Sequence, residues 1–140
     1  MKRFIHLTDL HFSSRDKTQN EIHFKTRKTI LNVIKEINNL RPEPNFILIS
    51  GDLTNTGNIK SYKELHQILK NIKTPIYYAL GNHDKKLSFN KVFRNINSEE
   101  PLFYNHIIED LNLIVLDTSV SGKVSGEISD EQFEFLSNCL

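Results

Sequence analysis

Three short β-prone runs in this chain each stop abruptly in residues whose side chains can bind a metal or exchange a proton. That repetition limits the fold more than any other feature. Phe46-Ile47-Leu48-Ile49-Ser50 is broken by Gly51 and followed by Asp52, the pattern of a buried strand that ends at a glycine and presents a carboxylate. Phe4-Ile5-His6-Leu7-Thr8 delivers Asp9-Leu10-His11, and Thr74-Pro75-Ile76-Tyr77-Tyr78-Ala79-Leu80 delivers Gly81-Asn82-His83-Asp84. A D-x-H pair at a strand end can aim both side chains the same way, because residues two apart in extended backbone share a face. Taken alone, the same pair reads far more readily as a turn-capping aspartate beside a surface histidine.

Helical patterns separate the runs. From about Asn20 to Leu40, apolar Ile30, Val33, Ile34, Ile37 and Leu40 recur at helical spacing, and Pro42 and Pro44 end the pattern. A second helix is expected to begin around Ser61, where Ser61-x-x-Glu64 has capping-box form, with Tyr62, Leu65, Leu69 and Ile72 on its apolar face. The β-α-β-α-β order makes the three strands neighbours in a parallel sheet and gathers their carboxyl ends on one rim, where open α/β sheets place ligands. Asp9, His11, Asp52, Asn82 and His83 are expected to meet there.

Composition limits what such a rim can serve. With 140 residues the chain fits one domain. The 18 basic and 17 acidic side chains leave a net charge of +1, so no broad field draws in nucleic acid or an anionic membrane and an anionic substrate has to be held locally. Cys139 is the only cysteine; it excludes an intrachain disulfide, favours a reducing compartment and reads as a half-buried thiol. Met1-Lys2-Arg3 resembles the start of a signal peptide, but His6, Thr8 and Asp9 break the apolar stretch behind it, and no run reaches membrane-span length. A cytoplasmic chain with no membrane partner is the expectation.

Other segments have two readings each or a plain one. Ser13 to Gln19 is a rim loop or a surface connection, Thr54-Asn55-Thr56-Gly57 a plain turn or one that brings backbone to a bound group, His23 a solvent-facing residue and His66 partly buried packing. Lys85, Lys86, Lys91 and Arg94 surround Phe89, Val92 and Phe93 in a short helix plus loop, a solvated basic face that can also attract phosphate. Phe103 to Ile108 returns through Asn112 to Leu116 as a hairpin with His106 as a strand residue, and Ser119 to Gly126 has the composition of a loop over the rim. A last helix follows Ser129-x-x-Gln132, again a capping box, with Phe133, Phe135, Leu136, Cys139 and Leu140 as its apolar face.

Asp9-Leu10-His11, Gly51-Asp52-Leu53-Thr54-Asn55-Thr56-Gly57 and Gly81-Asn82-His83-Asp84 resemble the D-x-H, G-D-x-x-x-x-G and G-N-H-D motifs of the calcineurin-like metallophosphoesterases. The wording around them is similar to the branch containing class III cyclic-nucleotide phosphodiesterases, and the resemblance runs through Leu116-Asp117-Thr118-Ser119 to the final helix. It implies an α/β fold, the N-terminal part of a two-sheet β-sandwich flanked by helices. It implies two divalent ions (Mn, Fe or Zn), with Asp9 and His11 on one, Asp52 bridging both and Asn82 on the second. It also implies a hydroxide between the ions that attacks phosphorus in line, and His83 contacting the phosphate or protonating the leaving oxygen while Asp84 orients its ring. The function so implied is hydrolysis of a small phosphodiester such as a cyclic nucleotide.

The departures carry expectations too. Family members continue with a further histidine and a G-H-x-H motif, which this chain lacks, and His6, His23, His66 and His106 stand at the wrong spacings to replace them. The chain is therefore expected to be a single domain cut short at its C-terminus, with strand edges and apolar surface left open. A homodimer, or a second chain completing the fold, follows from that expectation. The rival reading is a catalytically impaired fragment or a non-catalytic binding module that keeps the first half of the fold.

Overall fold

The computed structural model describes residues 2–14 and 20–140, with side chains along the first helix described from residue 25 onward. The readings of Met1, His23 and the stretch 15–19 fall outside the described residues. Strand β1 (Phe4–Thr8) leads to helix α1 (Asn20–Asn39), β2 (Phe46–Ser50), α2 (Ile59–Leu69) and β3 (Ile76–Ala79). A short helix α3 (Lys86–Phe89) runs on into a wider π turn, Asn90–Arg94, before the hairpin β4 (Tyr104–Ile108) and β5 (Leu111–Val115) and the last helix α4 (Asp130–Cys139). No helix among the described residues is long and apolar enough to cross a membrane.

The three leading strands form a parallel sheet in the order β1-β2-β3, with Thr8 beside Ser50 and Ser50 beside Ala79 at its carboxyl edge. Side chains alternate across such a sheet. One set, Ile5, Leu7, Ile47, Ile49, Ile76 and Tyr78, joins Ile30, Ile34 and Ile37 of α1 and Tyr62, Leu65, Ile68 and Leu69 of α2 in the core. The other set runs as an aromatic row: Phe4 stacks on Phe46 at 5.0 Å, Phe46 meets Tyr77 edge-on at 5.7 Å, and Tyr77 lies 4.9 Å from His106. Phe4 stays 55% exposed, so this second face is only partly covered. The antiparallel hairpin forms a separate two-stranded sheet. Tyr104 ties it to the edge of β3, its hydroxyl donating to Tyr78 O (2.9 Å) and accepting from Tyr78 N (3.0 Å). This mixed α/β architecture is the one expected for the N-terminal part of the sandwich.

A buried polar junction holds the last third of the chain. Asp117, 2% exposed, accepts from Leu102 N at 2.9 Å and from Ser119 N at 3.0 Å, and its backbone is bracketed by Gln132, whose Oε1 accepts from Asp117 N (2.7 Å) while Nε2 donates to Asp117 O (3.0 Å). Lys86 reaches the same place from α3, donating to Ser119 O (2.5 Å) and Ser119 Oγ (2.8 Å) with its ammonium 3.5 Å from Asp117 Oδ2. The loop that begins at Ser119 is pinned by this lysine.

Several local expectations are corrected by where polar groups find partners. Helix α2 starts earlier than the Ser61 box suggested: Asn58 is the cap, its side chain accepting from Ser61 N, and Ser61 is buried in the first turn, accepting from Ser14 N at 2.9 Å. Ser13 and Ser14 are themselves buried, so the Ser13–Gln19 segment begins inside the fold. At α4, Ser129 does cap Gln132 N, but the Gln132 amide turns to Asp117 and the box is only half made. Leu40, Phe133 and Leu140, placed on apolar faces by periodicity, are exposed at 45%, 65% and 93%. Phe135 of α4 instead packs on Phe103 at 5.1 Å. Hydrophobic spacing marks a helix face; it does not show where the neighbouring layer ends.

Two outcomes follow for stability. Ile47→Ala, which empties a fully buried position in the central strand, is expected to destabilise by about 2–5 kcal/mol, whereas Leu31→Ala at an exposed position of α1 stays within about 0.5 kcal/mol; urea unfolding of both variants checks the contrast. Gln132→Ala strands the buried N–H and C=O of Asp117 at a cost of about 1–3 kcal/mol, and hydrogen exchange is expected to show the segment from Leu102 to α4 opening before the parallel sheet.

Candidate metal centre

Backbone hydrogen bonding does not stop where the strands stop. Gly51 N donates to Ala79 O (2.9 Å), Asp9 N to Gly51 O (3.2 Å), His11 N to Asp52 O (2.9 Å) and Phe12 N to Leu53 O (3.1 Å), and Phe12 forms an isolated parallel bridge with Thr54. The loops that follow β1 and β2 are thus laced together as an irregular continuation of the sheet. Within them Asp9 (φ 54°), His11 (φ 41°) and Asp52 (φ 50°) occupy the left-handed region, as does Gly51 (φ 75°). An L-residue there costs roughly 1–2 kcal/mol, and such strain persists only where surrounding structure over-determines it. Asp9 and His11 therefore come together through turned backbone rather than through the shared face of an extended segment.

The result is a compact donor cluster. His11 Nε2 lies 3.6 Å from Asp52 Oδ2 and 3.7 Å from Asp9 Oδ1. The His11 and His83 rings meet edge-on with centroids 4.7 Å apart, and ligand atoms of His11, Asp52 and His83 all lie within 4.8 Å of one another. Asn82 is exposed in the turn beside His83. Thr8 steadies Asp9, its Oγ1 standing 2.6 Å from Asp9 Oδ2 and 2.7 Å from Ser50 O.

These donors fit a divalent ion. At 3.6 Å the imidazole and carboxylate of His11 and Asp52 are too far apart to hydrogen-bond, yet the separation is close to the roughly 3.4 Å between two tetrahedral ligands with metal bonds of about 2.0–2.2 Å. Mixed imidazole and carboxylate donors suit Zn, Fe and Mn.

His83 is held from both ends. Its backbone N donates to Asp52 Oδ1 at 3.0 Å, and Nδ1 lies 2.8 Å from Asn55 O. A carbonyl oxygen only accepts, so Nδ1 carries the hydrogen and Nε2 is the nitrogen left for a ligand or a proton. The partner of this ring is thus the Asn55 carbonyl and not Asp84, which departs from the role expected for that carboxylate. Asp84 turns inward: its oxygens accept from Tyr62 OH (2.6 Å), Gly81 N (3.0 Å), Leu53 N (3.2 Å) and Thr54 N (3.3 Å). Burial lifts its carboxyl above the usual carboxylate range even though all four donors pull the other way. The amides of Leu53 and Thr54 are spent on Asp84, so this part of the turn serves the protein rather than a bound group.

Neighbouring residues settle the remaining readings. His66 packs against Phe93 at 4.6 Å, as a partly buried side chain would. Of the basic group, Lys86 is committed to Ser119 and Asp117, and Arg94 to Glu100 at 3.0 Å and Asn90 at 3.2 Å. Sequence reading missed Thr8 and Asn55, and it saw Tyr62 only as part of an apolar face. Asn55 acts through its backbone, which no residue type announces; the hydroxyls of Thr8 and Tyr62 were the available signal.

Glycine is required at one approach. A Cβ on Gly81 would stand 2.2 Å from Asp52 Oδ1 and 2.9 Å from Gly51 Cα. Gly81→Ala is therefore expected to displace the Asp52 carboxylate and weaken Mn²⁺ binding at least tenfold, a loss that calorimetric titration of the folded variant would measure.

A family model described as calcineurin-like phosphoesterase matches residues 2–138. Among relatives, a protein of Arcobacter nitrofigilis named probable glycerophosphodiester phosphodiesterase is 32% identical over 138 residues, covering 94% of this chain and 49% of that protein. A probable cyclic nucleotide phosphodiesterase of Rhodococcus erythropolis is 29% identical over 137 residues, covering 94% and 45%. A 3',5'-cyclic-nucleotide phosphodiesterase of a Nostoc species is 29% identical over 131 residues, covering 93% and 48%. The chain spans about half the length of the curated relatives it matches. With the family model covering nearly every residue, and with strand-end loops that gather His11, Asp52 and His83, the chain belongs to the calcineurin-like phosphoesterase family.

Proposed function

We propose that this chain forms the metal-binding and phosphate-facing part of a phosphodiesterase site that hydrolyses small phosphodiesters, of the glycerophosphodiester or cyclic-nucleotide class named among its relatives. The observation that carries the reading is the convergence of His11, Asp52 and His83 from three different strand ends to within 4.8 Å. Asp9, His11, Asp52 and Asn82 would hold two divalent ions, Mn, Fe or Zn. Such ions, when bound, supply positive charge to the phosphoryl oxygens and lower the pKa of water.

The chain's own groups would do the rest. Asp52 would serve two ligand positions at once, the bridging role, a reading supported by its Oδ1 bond to His83 N and its Oδ2 facing His11. His83, with Nδ1–H committed to Asn55 O, leaves Nε2 as the nitrogen available for a ligand or a proton; protonated there, it would donate to phosphate or to the departing ester oxygen. A near-neutral surface suits a small substrate better than a long nucleic-acid groove. The chain spans about half the length of the curated relatives it matches, and in this reading residues outside these 140 complete the metal shells.

Hydrolysis of a chromogenic phosphodiester with Mn²⁺ tests the reading. Asp52→Asn is expected to lower turnover by roughly 100-fold or more, beyond the 10–100-fold typical of groups behind the ligands, and to abolish uptake of two ions per chain. A folded, Mn²⁺-supplemented sample with no turnover and no bound metal would favour the non-catalytic module instead. His83→Ala is expected to cost about 100–10,000-fold on an alkyl diester and far less on a nitrophenyl ester, whose leaving oxygen needs no proton. Equal losses on both substrates would remove the acid role and leave phosphate contact.

A further inference from the structure

Among the bonds that join the loops carrying Asp52 and His83 is a part-buried junction at Asp84, and the other member of that junction comes from outside every motif. Tyr62 lies in the first turns of α2, ten residues beyond Asp52, and is fully buried. Its hydroxyl donates to Asp84 Oδ1 at 2.6 Å and accepts from Lys85 N at 3.2 Å. The Asp84 carboxylate in turn accepts from Leu53 N and Thr54 N, directly after Asp52, and from Gly81 N, two residues before His83. We propose that Tyr62 is the positioning residue of the metal centre: through Asp84 it sets the spacing between the Asp52 loop and the His83 loop. This inference rests on the reading of the cluster as a metal site.

Three observations give the contact its leverage. The phenol cannot swing away, because its ring meets Phe89 and Phe93 edge-on at 6.1 and 6.2 Å and α2 is fixed at its start by the Asn58 cap. The loops have no slack, since a Cβ on Gly57 would stand 2.9 Å from His83 O and one on Gly81 2.2 Å from Asp52 Oδ1. A shift of a few tenths of an ångström in the carboxylate therefore reaches both the His83 N–Asp52 Oδ1 bond (3.0 Å) and the His83 Nδ1–Asn55 O bond (2.8 Å). A buried carboxylate deprived of one of its donors has reason to move, because its remaining charge must find water or another donor.

Tyr62→Phe keeps the ring and its packing and removes only the oxygen. Leu69→Ala is the comparison: Leu69 is a buried residue of the same helix that touches neither loop's hydrogen bonds, and its loss lowers stability by at least as much. Titration with Mn²⁺ is expected to show affinity reduced about 10–100-fold in Tyr62→Phe and changed less than twofold in Leu69→Ala. Equal affinity in Tyr62→Phe and the unaltered chain, or an equal fall in both variants, would overturn the proposal. Nitrogen NMR of the His83 ring without metal provides a reading independent of the ions: a single Nδ1–H tautomer in the unaltered chain is expected to become a mixture in Tyr62→Phe alone, and an unchanged ring would equally overturn the role. An unaltered chain that takes up no Mn²⁺ but shows the tautomer change would count against the metal reading and for the positioning role.

Discussion

The structure depends on the hydrogen-bond ladder of β2, which has a strand on each side and continues past its own last residue. Gly51 bonds to the end of β3, while the carbonyls of Gly51, Asp52 and Leu53 each accept from the loop that follows β1. Because these bonds lie beyond the regular strands, the loops behave as part of the sheet rather than as free connections. Side chains on them acquire the positional definition of a scaffold, which a site assembled from separate segments needs.

That definition has a cost and a compensation. Asp9, His11 and Asp52 sit in left-handed backbone that their side chains disfavour. The compensation is local and non-local together: laced amides, a glycine where Asp52 needs space, and an inward-facing carboxylate with four donors. Beneath them lies the core built on Ile47, Ile49, Leu53 and Leu65. Strain concentrated at donors of a cluster, with a well-packed layer below, is how a fold stores the energy of a preorganised site.

Polar side chains organise the rest of the molecule by the same means. Asp117 and Asp84 are buried or partly buried residues that join segments distant in sequence, one through its carboxylate to Leu102 before the hairpin and through its backbone to Gln132 of α4, the other through its carboxylate to the two site loops. The first is paired with Lys86; the second forms no ion pair among the described residues and relies on a phenol and three amides. That difference makes the site loops the more sensitive of the two junctions to the loss of one neutral donor.

Much was legible in the residues themselves. The three β-prone runs with their glycine breaks, the two amphipathic helices between them and the hairpin all follow from short-range periodicity and breaker residues, and their order sufficed to place Asp9, His11, Asp52 and His83 on one rim. What local pattern could not reach was the choice of partner for each polar group. Tyr62 and Asp84 are 22 residues apart, and Asn55 and His83 are 28; nothing in either segment alone says they will touch. Sequence determined which chemistry could gather at the sheet edge, because side-chain alternation and helical spacing are properties of neighbouring residues. Only the tertiary structure decided that Asn55 holds the His83 ring, that Asp84 faces inward and that Ser61 turns to Ser14, because a buried donor or acceptor is satisfied by whatever packing brings within about three ångströms of it.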